Sequence, residues 1–207
     1  MPQLKSVIFD VSGVINRNML NRGYWNKLEN ERGLPEGSIK KTLIRRFELQ
    51  HKIEAEPFPI FRNWFGEGTS AIELDEDVMN AVDALREAGI KVVLLTNNYY
   101  LDNSRQKRRL PVDSSRFDVI VESCVEGTMK PDPKLYQIAL DRLGLRGNEC
   151  VFIDSHKSHV DMAEFLGMRT ILAHTWEREY ALCELEDILN EDALSEENFD
   201  SDGTESS

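Results

Sequence analysis

Hydrophobic positions along the first half of the chain gather into a short unbroken run, Val7-Ile8-Phe9, which follows Ser6 and stops at Asp10 with Gly13 close behind. Similar runs recur at Val92 to Leu95, Val119 to Val121, Val151 to Ile153 and Thr170 to Leu172, each closed by polar or turn residues. Runs of this length, rich in β-branched residues, fit strands buried on both faces. They predict five strands, with Asp10 at the carboxyl end of the first. Between the later runs the apolar residues change to helical spacing: Val78, Val82 and Leu85; then Leu135, Ile138 and Leu143; then Met162, Phe165 and Leu166. Alternating strands and helices predict an α/β fold with a mostly parallel sheet covered on both faces. In such sheets ligands collect beyond the carboxyl ends of the strands.

Residues 17–74 break the alternation. Helical patterns around Trp25 to Glu31 and Ser38 to Leu49 lead into an aromatic stretch, Phe58, Phe61, Trp64 and Phe65, which predicts a small helical cap inserted after the first strand. The rings either pack the cap's own core or line a pocket for an apolar group; small helical subdomains need such residues to hold together. Residues 1–16 and 75–190 then form the core. From Glu191 to Ser207 there are seven acids, no Lys or Arg and a single aromatic, Phe199, so residues 191–207 read as an acidic, disordered tail.

Composition narrows the function classes. Of the twelve net negative charges, seven sit in the tail, leaving the body mildly acidic and disfavouring nucleic acid as a partner. The basic run Arg105, Lys107, Arg108 and Arg109 reads first as a solvated face, although an acidic partner or anionic substrate would also suit it, and the tail offers a surface for a protein partner. Cys124, Cys150 and Cys183 are odd in number and widely spaced, which speaks against a disulfide framework or a structural zinc site. The start MPQLKSVIFD lacks a signal-peptide pattern and no stretch has membrane-spanning length, so a cytoplasmic protein with no membrane partner is expected.

Candidate chemistry gathers at strand ends and turns: Asp10, Thr96, Lys130 and Asp154. One acid at a strand end is ordinarily a turn or capping residue, but the ordered set is specific. Phe9-Asp10-Val11-Ser12-Gly13-Val14, Leu95-Thr96-Asn97, Lys130-Pro131 and Phe152-Ile153-Asp154 resemble, in order, the four motifs of the haloacid dehalogenase (HAD) superfamily, over residues 5–175. The stretch from Glu122-Ser123-Cys124 through Met129-Lys130-Pro131-Asp132-Pro133-Lys134-Leu135-Tyr136 is similar to the phosphatase domain of soluble epoxide hydrolases and to domains of acyl-CoA dehydrogenase family members 10 and 11.

The resemblance implies a Rossmann-like core and a Mg²⁺-dependent phosphatase acting on a small phosphorylated molecule. Asp10 would be the nucleophile and a metal ligand, forming an aspartyl-phosphate. Thr96 and Lys130 would hold phosphoryl oxygens, and Ser12, Asn97 and Asn98 would face the substrate. Asp154, with the backbone carbonyl of Ser12, would support the metal. Two departures stand out. Ser12 occupies the position of the family's general acid/base, whose loss is typically worth about 10² to 10⁴ in rate. Ser155 replaces an acid that usually touches Mg²⁺, with His159 where Asn is usual. Counting residues 10, 12, 130, 154 and 155, the pocket carries a formal charge of −1, against −3 with both acids present. The sequence therefore supports a slow phosphomonoesterase and, as its rival, an impaired pseudophosphatase that binds a ligand or protein. Asp154, His156, His159 and Asp161 also offer nitrogen and oxygen ligands suited to a transition metal, beside the plainer reading of a polar loop.

Overall fold

In a computed structural model of the chain, the described residues are 3–16, 22–31, 33–38, 41, 74–100, 104–106, 108, 112–173 and 178–201. Strands β1 (Ser6–Phe9), β2 (Lys91–Thr96), β3 (Val119–Glu122), β4 (Cys150–Asp154) and β5 (Arg169–Leu172) form one parallel sheet in the order β3-β2-β1-β4-β5. All five expected strands are present. The order turns outward from β1 in both directions, so the crevice for ligands opens beyond the ends of β1 and its neighbours.

Alternation along each strand divides the sheet's side chains between two buried layers. Val7, Phe9, Val92, Leu94, Val151 and Ile153 face one side, with Val78, Val82 and Leu85 of α2 (Glu76–Glu87). Ile8, Val93, Leu95 and Phe152 face the other, where they meet Leu135, Tyr136, Ala139 and Leu140 of α4 (Pro133–Leu143). Helix α2 starts where Asp75 accepts the Val78 amide at 3.3 Å, with Glu76 and Asp77 favouring its positive end. Pro133 and the Asp132 cap open α4, and Gly144, at φ +66°, closes it in a left-handed turn. Short α3 (Ser123–Glu126) follows β3 directly.

Helix α5 (Lys157–Phe165) buries Val160 and Ala163. Phe165, expected to point inward, is 81% exposed instead. Two residues past Ala163 is about 200° around the helix, which puts the ring on the opposite face.

The insertion leaves and rejoins the core at one place. Asn16 bridges to Leu74, and the Asp75 amide donates to the Ile15 carbonyl at 2.8 Å. The first expected helix of this region is α1 (Arg22–Glu31). Most of the second, and Phe58, Phe61, Trp64 and Phe65, lie outside the described residues.

The acidic end departs from the expected disordered tail. Helix α6 (Arg178–Ser201) runs well past Glu191, packing Ala181 and Leu185 on the core. Asp192 is buried and accepts the Leu4 amide at 2.8 Å, tying this helix to the start of β1. Composition shows the charge of this stretch but not the spacing of Ala181, Leu185, Ile188, Leu189 and Asp192, which share one helical face. Among the described residues, no helix is long and apolar enough to cross a membrane.

Candidate active site

Two strand ends and one loop bring the central charges together. Asp10 follows β1, pinned by its amide's 3.0 Å hydrogen bond to the Ile153 carbonyl, and its side chain is almost wholly buried. Asp154 closes β4 and is 0% exposed. Lys130 reaches between them from the loop before α4. Its ammonium lies 2.9 Å from Asp10 Oδ1 and 2.6 Å from Asp154 Oδ2, and donates to the Leu95 carbonyl at 2.8 Å. A lysine has three hydrogens to give, so all are engaged, and a phosphoryl oxygen binding to Lys130 must displace one of these acceptors. The Phe152 ring centroid lies 5.4 Å from the ammonium, within cation–π range. Thr96, at the end of β2, is buried and sits in register with Glu122 of β3.

The two carboxylates share Lys130 unequally. Burial raises the pKa of Asp10, opposed by Lys130 and reinforced by the charge of Asp154. Burial pushes Asp154 the same way, yet the charge of Lys130 and the donations of His156 and His159 outweigh it, holding this carboxyl well below the usual carboxylate range. Lys130 shows the mirror image: burial pulls it down, and the two acids more than restore it, leaving it raised. Asp154 is thus the more firmly ionised acid, and the nucleophile candidate the more reluctant one.

Beyond Asp154 the side expected to hold a metal is closed by hydrogen bonds. The Ser155 hydroxyl donates to the Ser12 carbonyl at 2.9 Å. Asp154 Oδ1 accepts the His156 amide at 2.8 Å, and Asp154 Oδ2 lies 2.9 Å from His159 Nδ1 as well as on Lys130. Mg²⁺ wants near-octahedral oxygens, with carboxylates among them. Here the carbonyl expected to serve it is capped by a hydroxyl, Asp154 is shared with one ammonium and two histidine residues, and no acid stands at 12 or 155. This donor set does not fit a Mg²⁺ ion of the kind the family resemblance implies.

Asn97 and Asn98, expected on the substrate side, are committed to the protein. The Asn97 amide clasps the Lys130 backbone twice, accepting its N–H at 2.8 Å and donating to its carbonyl at 3.0 Å. Asn98 is buried and donates to Glu122 Oε2 at 2.6 Å, while Ser123 Oγ takes the Asn98 amide at 2.9 Å and gives to its carbonyl at 3.1 Å. The other oxygen of Glu122 pairs with Arg108, so that member of the basic run has a structural task. Glu122, Ser123 and Arg108 are therefore supports that sequence reasoning missed. The signal available was an acid closing an otherwise apolar strand. Tyr136 is a further support: its hydroxyl donates to the His159 carbonyl at 3.0 Å. Asp161 is half exposed and paired with Lys157.

Comparison with known proteins agrees with this architecture. The sequence profile of haloacid dehalogenase-like hydrolases matches residues 4–167. The chain is similar to acyl-CoA dehydrogenase family member 10 of Mus musculus, 40% identical over 109 residues that make up 53% of this chain and 10% of that protein. Bifunctional epoxide hydrolase 2 of the same species is 33% identical over 127 residues, 60% of this chain and 23% of that one. A phosphatase of Mycobacterium tuberculosis is 30% identical over 138 residues, 67% of this chain and 61% of that one. The chain thus spans a small fraction of the mammalian relatives and about three-fifths of the bacterial one. Among solved structures, a predicted HAD-like family hydrolase from Porphyromonas gingivalis superposes with a TM-score of 0.63 at 21% identity, covering 89% of this chain and 98% of that one. A HAD enzyme from Bacteroides thetaiotaomicron, solved with magnesium and inorganic phosphate, gives 0.58 at 18% identity, covering 81% and 93%.

Proposed function

The chain belongs to the haloacid dehalogenase-like hydrolases, and we propose that within them it is a slow hydrolase of small phosphomonoesters that works through Asp10. The observation that carries this reading is the 2.9 Å contact between Asp10 and the buried Lys130 ammonium at the sheet's carboxyl end, with Thr96 at the neighbouring strand end. Similarity to a protein named as a phosphatase supports phosphoryl chemistry in general.

In this reading an Asp10 carboxylate oxygen attacks phosphorus as the bond to the leaving oxygen breaks, giving an aspartyl-phosphate. Water then attacks that phosphorus, releasing inorganic phosphate and restoring Asp10. Lys130 and Thr96 supply the positive charge and the neutral donor that suit the negative phosphoryl oxygens. The departing alkoxide needs a proton, and a serine hydroxyl at position 12 is a far weaker acid than a carboxyl, so turnover is slow and favours leaving groups that depart unaided.

The test is an acid-quenched reaction with acetyl phosphate or p-nitrophenyl phosphate, followed by intact-mass analysis beside Asp10→Asn. A phosphorylated species and slow phosphate release that both vanish in the variant are expected. If neither rises above the variant, the hydrolase reading fails. A second reading, a module that binds a phosphorylated ligand without turning it over, draws support from the Ser155 hydroxyl closing the Ser12 carbonyl. It predicts calorimetric binding of inorganic phosphate without any phosphorylated species.

A further inference from the structure

We propose that Asp154, His156 and His159 form a site for a divalent transition ion of the Zn²⁺ class, at the edge of the same cleft. The residues sit where β4 passes into α5: Asp154 ends the strand, His156 caps the helix and His159 lies in its first turn. Each offers a ligand atom, and these atoms lie within 4.8 Å of one another. Asp154 Oδ2 is 2.9 Å from His159 Nδ1, and Asp154 Oδ1 is 3.5 Å from His156 Nδ1. With metal bonds of about 2.0 to 2.1 Å, neighbouring ligands of a tetrahedral ion stand about 3.3 Å apart, between those two separations. The imidazoles lie side by side, centroids 4.9 Å apart and planes 30° from parallel.

The surroundings suit a metal with an open position. Ser155 Oγ is 3.2 Å from His156 Nδ1, so a neutral oxygen already borders the pair. His159 is 12% exposed and its turn is fixed by the Tyr136 hydroxyl on its carbonyl, whereas the His156 ring is 47% exposed and leaves an entry path. Imidazole nitrogen with one carboxylate selects transition ions over Mg²⁺, and this set stands where the oxygen ligands at 12 and 155 have been lost. The positive end of α5 opposes a cation, so the negative charge of Asp154 is indispensable. Asp161 is not in the set, because its carboxylate is held by Lys157. Asp154 Oδ2 also holds the Lys130 ammonium at 2.6 Å, so the ion and Lys130 share the charge of that carboxylate.

The experiment is calorimetric titration of the chelator-treated full chain with Zn²⁺ and with Mg²⁺, no phosphoryl ligand being present, together with visible absorption after adding Co²⁺. One Zn²⁺ per chain is expected, undisturbed by a large excess of Mg²⁺, with Co²⁺ bands of nitrogen and oxygen coordination. His156→Gln and His159→Gln should each weaken Zn²⁺ by more than the roughly 10- to 100-fold that loss of an outer-shell partner costs, and Asp161→Asn should bind as the parent does. His156 is half exposed, so its variant serves if His159→Gln fails to fold. Unchanged Zn²⁺ binding in His156→Gln, a thiolate charge-transfer band with Co²⁺, or no Zn²⁺ binding at all would each overturn the proposal. Loss of the Asp10 phosphoenzyme with Zn²⁺ still bound would sink the hydrolase reading alone.

Discussion

The two sides of the cleft share β1 yet handle charge in opposite ways. Toward β2 the buried Lys130 is met by Asp10, Asp154 and the Leu95 carbonyl, and the Asn97 amide clasps its backbone, so a full positive charge is fixed beside the Asp10 carboxylate proposed as nucleophile. Past Asp154 at the end of β4, the groups at 12 and 155 are neutral: Ser155 donates to the Ser12 carbonyl, and hydroxyls stand where acids would attract a hard cation. On the proposed reading, a phosphoryl pocket and a Mg²⁺ pocket are thus separable parts of this fold. The first can be kept while the second is rebuilt, and the reluctant ionisation of Asp10 follows from its burial, which the charge of Lys130 opposes and that of Asp154 reinforces.

The change that most directly removes this contrast is Ser12→Asp with Ser155→Asp. It takes the pocket from −1 to −3 and supplies the missing acid, so phosphate release in Mg²⁺ should rise by about 10² to 10⁴. An unchanged rate would mean that the two serines are not what limits turnover. Lys130→Met attacks the other side. Removing one partner of a buried ion pair typically costs about 3 to 5 kcal/mol, measurable by urea unfolding. Its pH dependence has a definite sign. In the parent, Asp154 has a lowered folded pKa, so its contribution is present above the unfolded value of about 3.9 and is lost as pH falls toward the folded one. In the variant both acids lose the charge that opposed their burial, so both folded pKa values move up, and an acid raised above its unfolded value contributes below that value and loses the contribution as pH rises. The stability deficit of the variant should therefore shrink on acidification; a deficit constant from neutral pH to pH 4 would contradict the buried-charge account.

A smaller effect is expected at Glu122, which holds Asn98 and Arg108 from a nearly sealed position. Glu122→Gln keeps a carbonyl for Asn98 but gives Arg108 no charge, and about 1 to 3 kcal/mol should be lost in the same unfolding measurement. Loss of less than a few tenths would show that the Arg108 pair contributes little.

Much of this was legible in the sequence because it follows from local pattern. A buried parallel strand has to be a short apolar run, so Val7 to Phe9 and Val151 to Ile153 locate β1 and β4, and Asp10 and Asp154 at their ends are placed without further information. Contacts set by three-dimensional closure were not legible. The Ser155 to Ser12 hydrogen bond joins residues 143 positions apart, and nothing local to either serine announces it. Asn97 and Asn98 follow Thr96 at the cleft mouth, which makes substrate contact the natural sequence reading; only the approach of Lys130 from another loop and of Glu122 from the end of β3 shows where their amides are used. At the acidic end the fault lay with composition, which averages over a helix face that spacing would have revealed.

That end gives the mildest test of how far a charged segment belongs to the fold. If residues from Glu191 onward were only a solvated tail, Asp192→Ala would be silent. In the structure the Asp192 carboxylate is buried on the Leu4 amide just ahead of β1, so the substitution strands a buried N–H donor. The expected loss is about 1 to 3 kcal/mol, read as a lower midpoint in thermal unfolding and as faster hydrogen exchange at the Leu4 amide. Asp192→Asn separates acceptor from charge, since its side-chain carbonyl can still accept that bond. It should recover most of the loss if the hydrogen bond is what anchors α6, and little of it if the carboxylate's negative charge matters more.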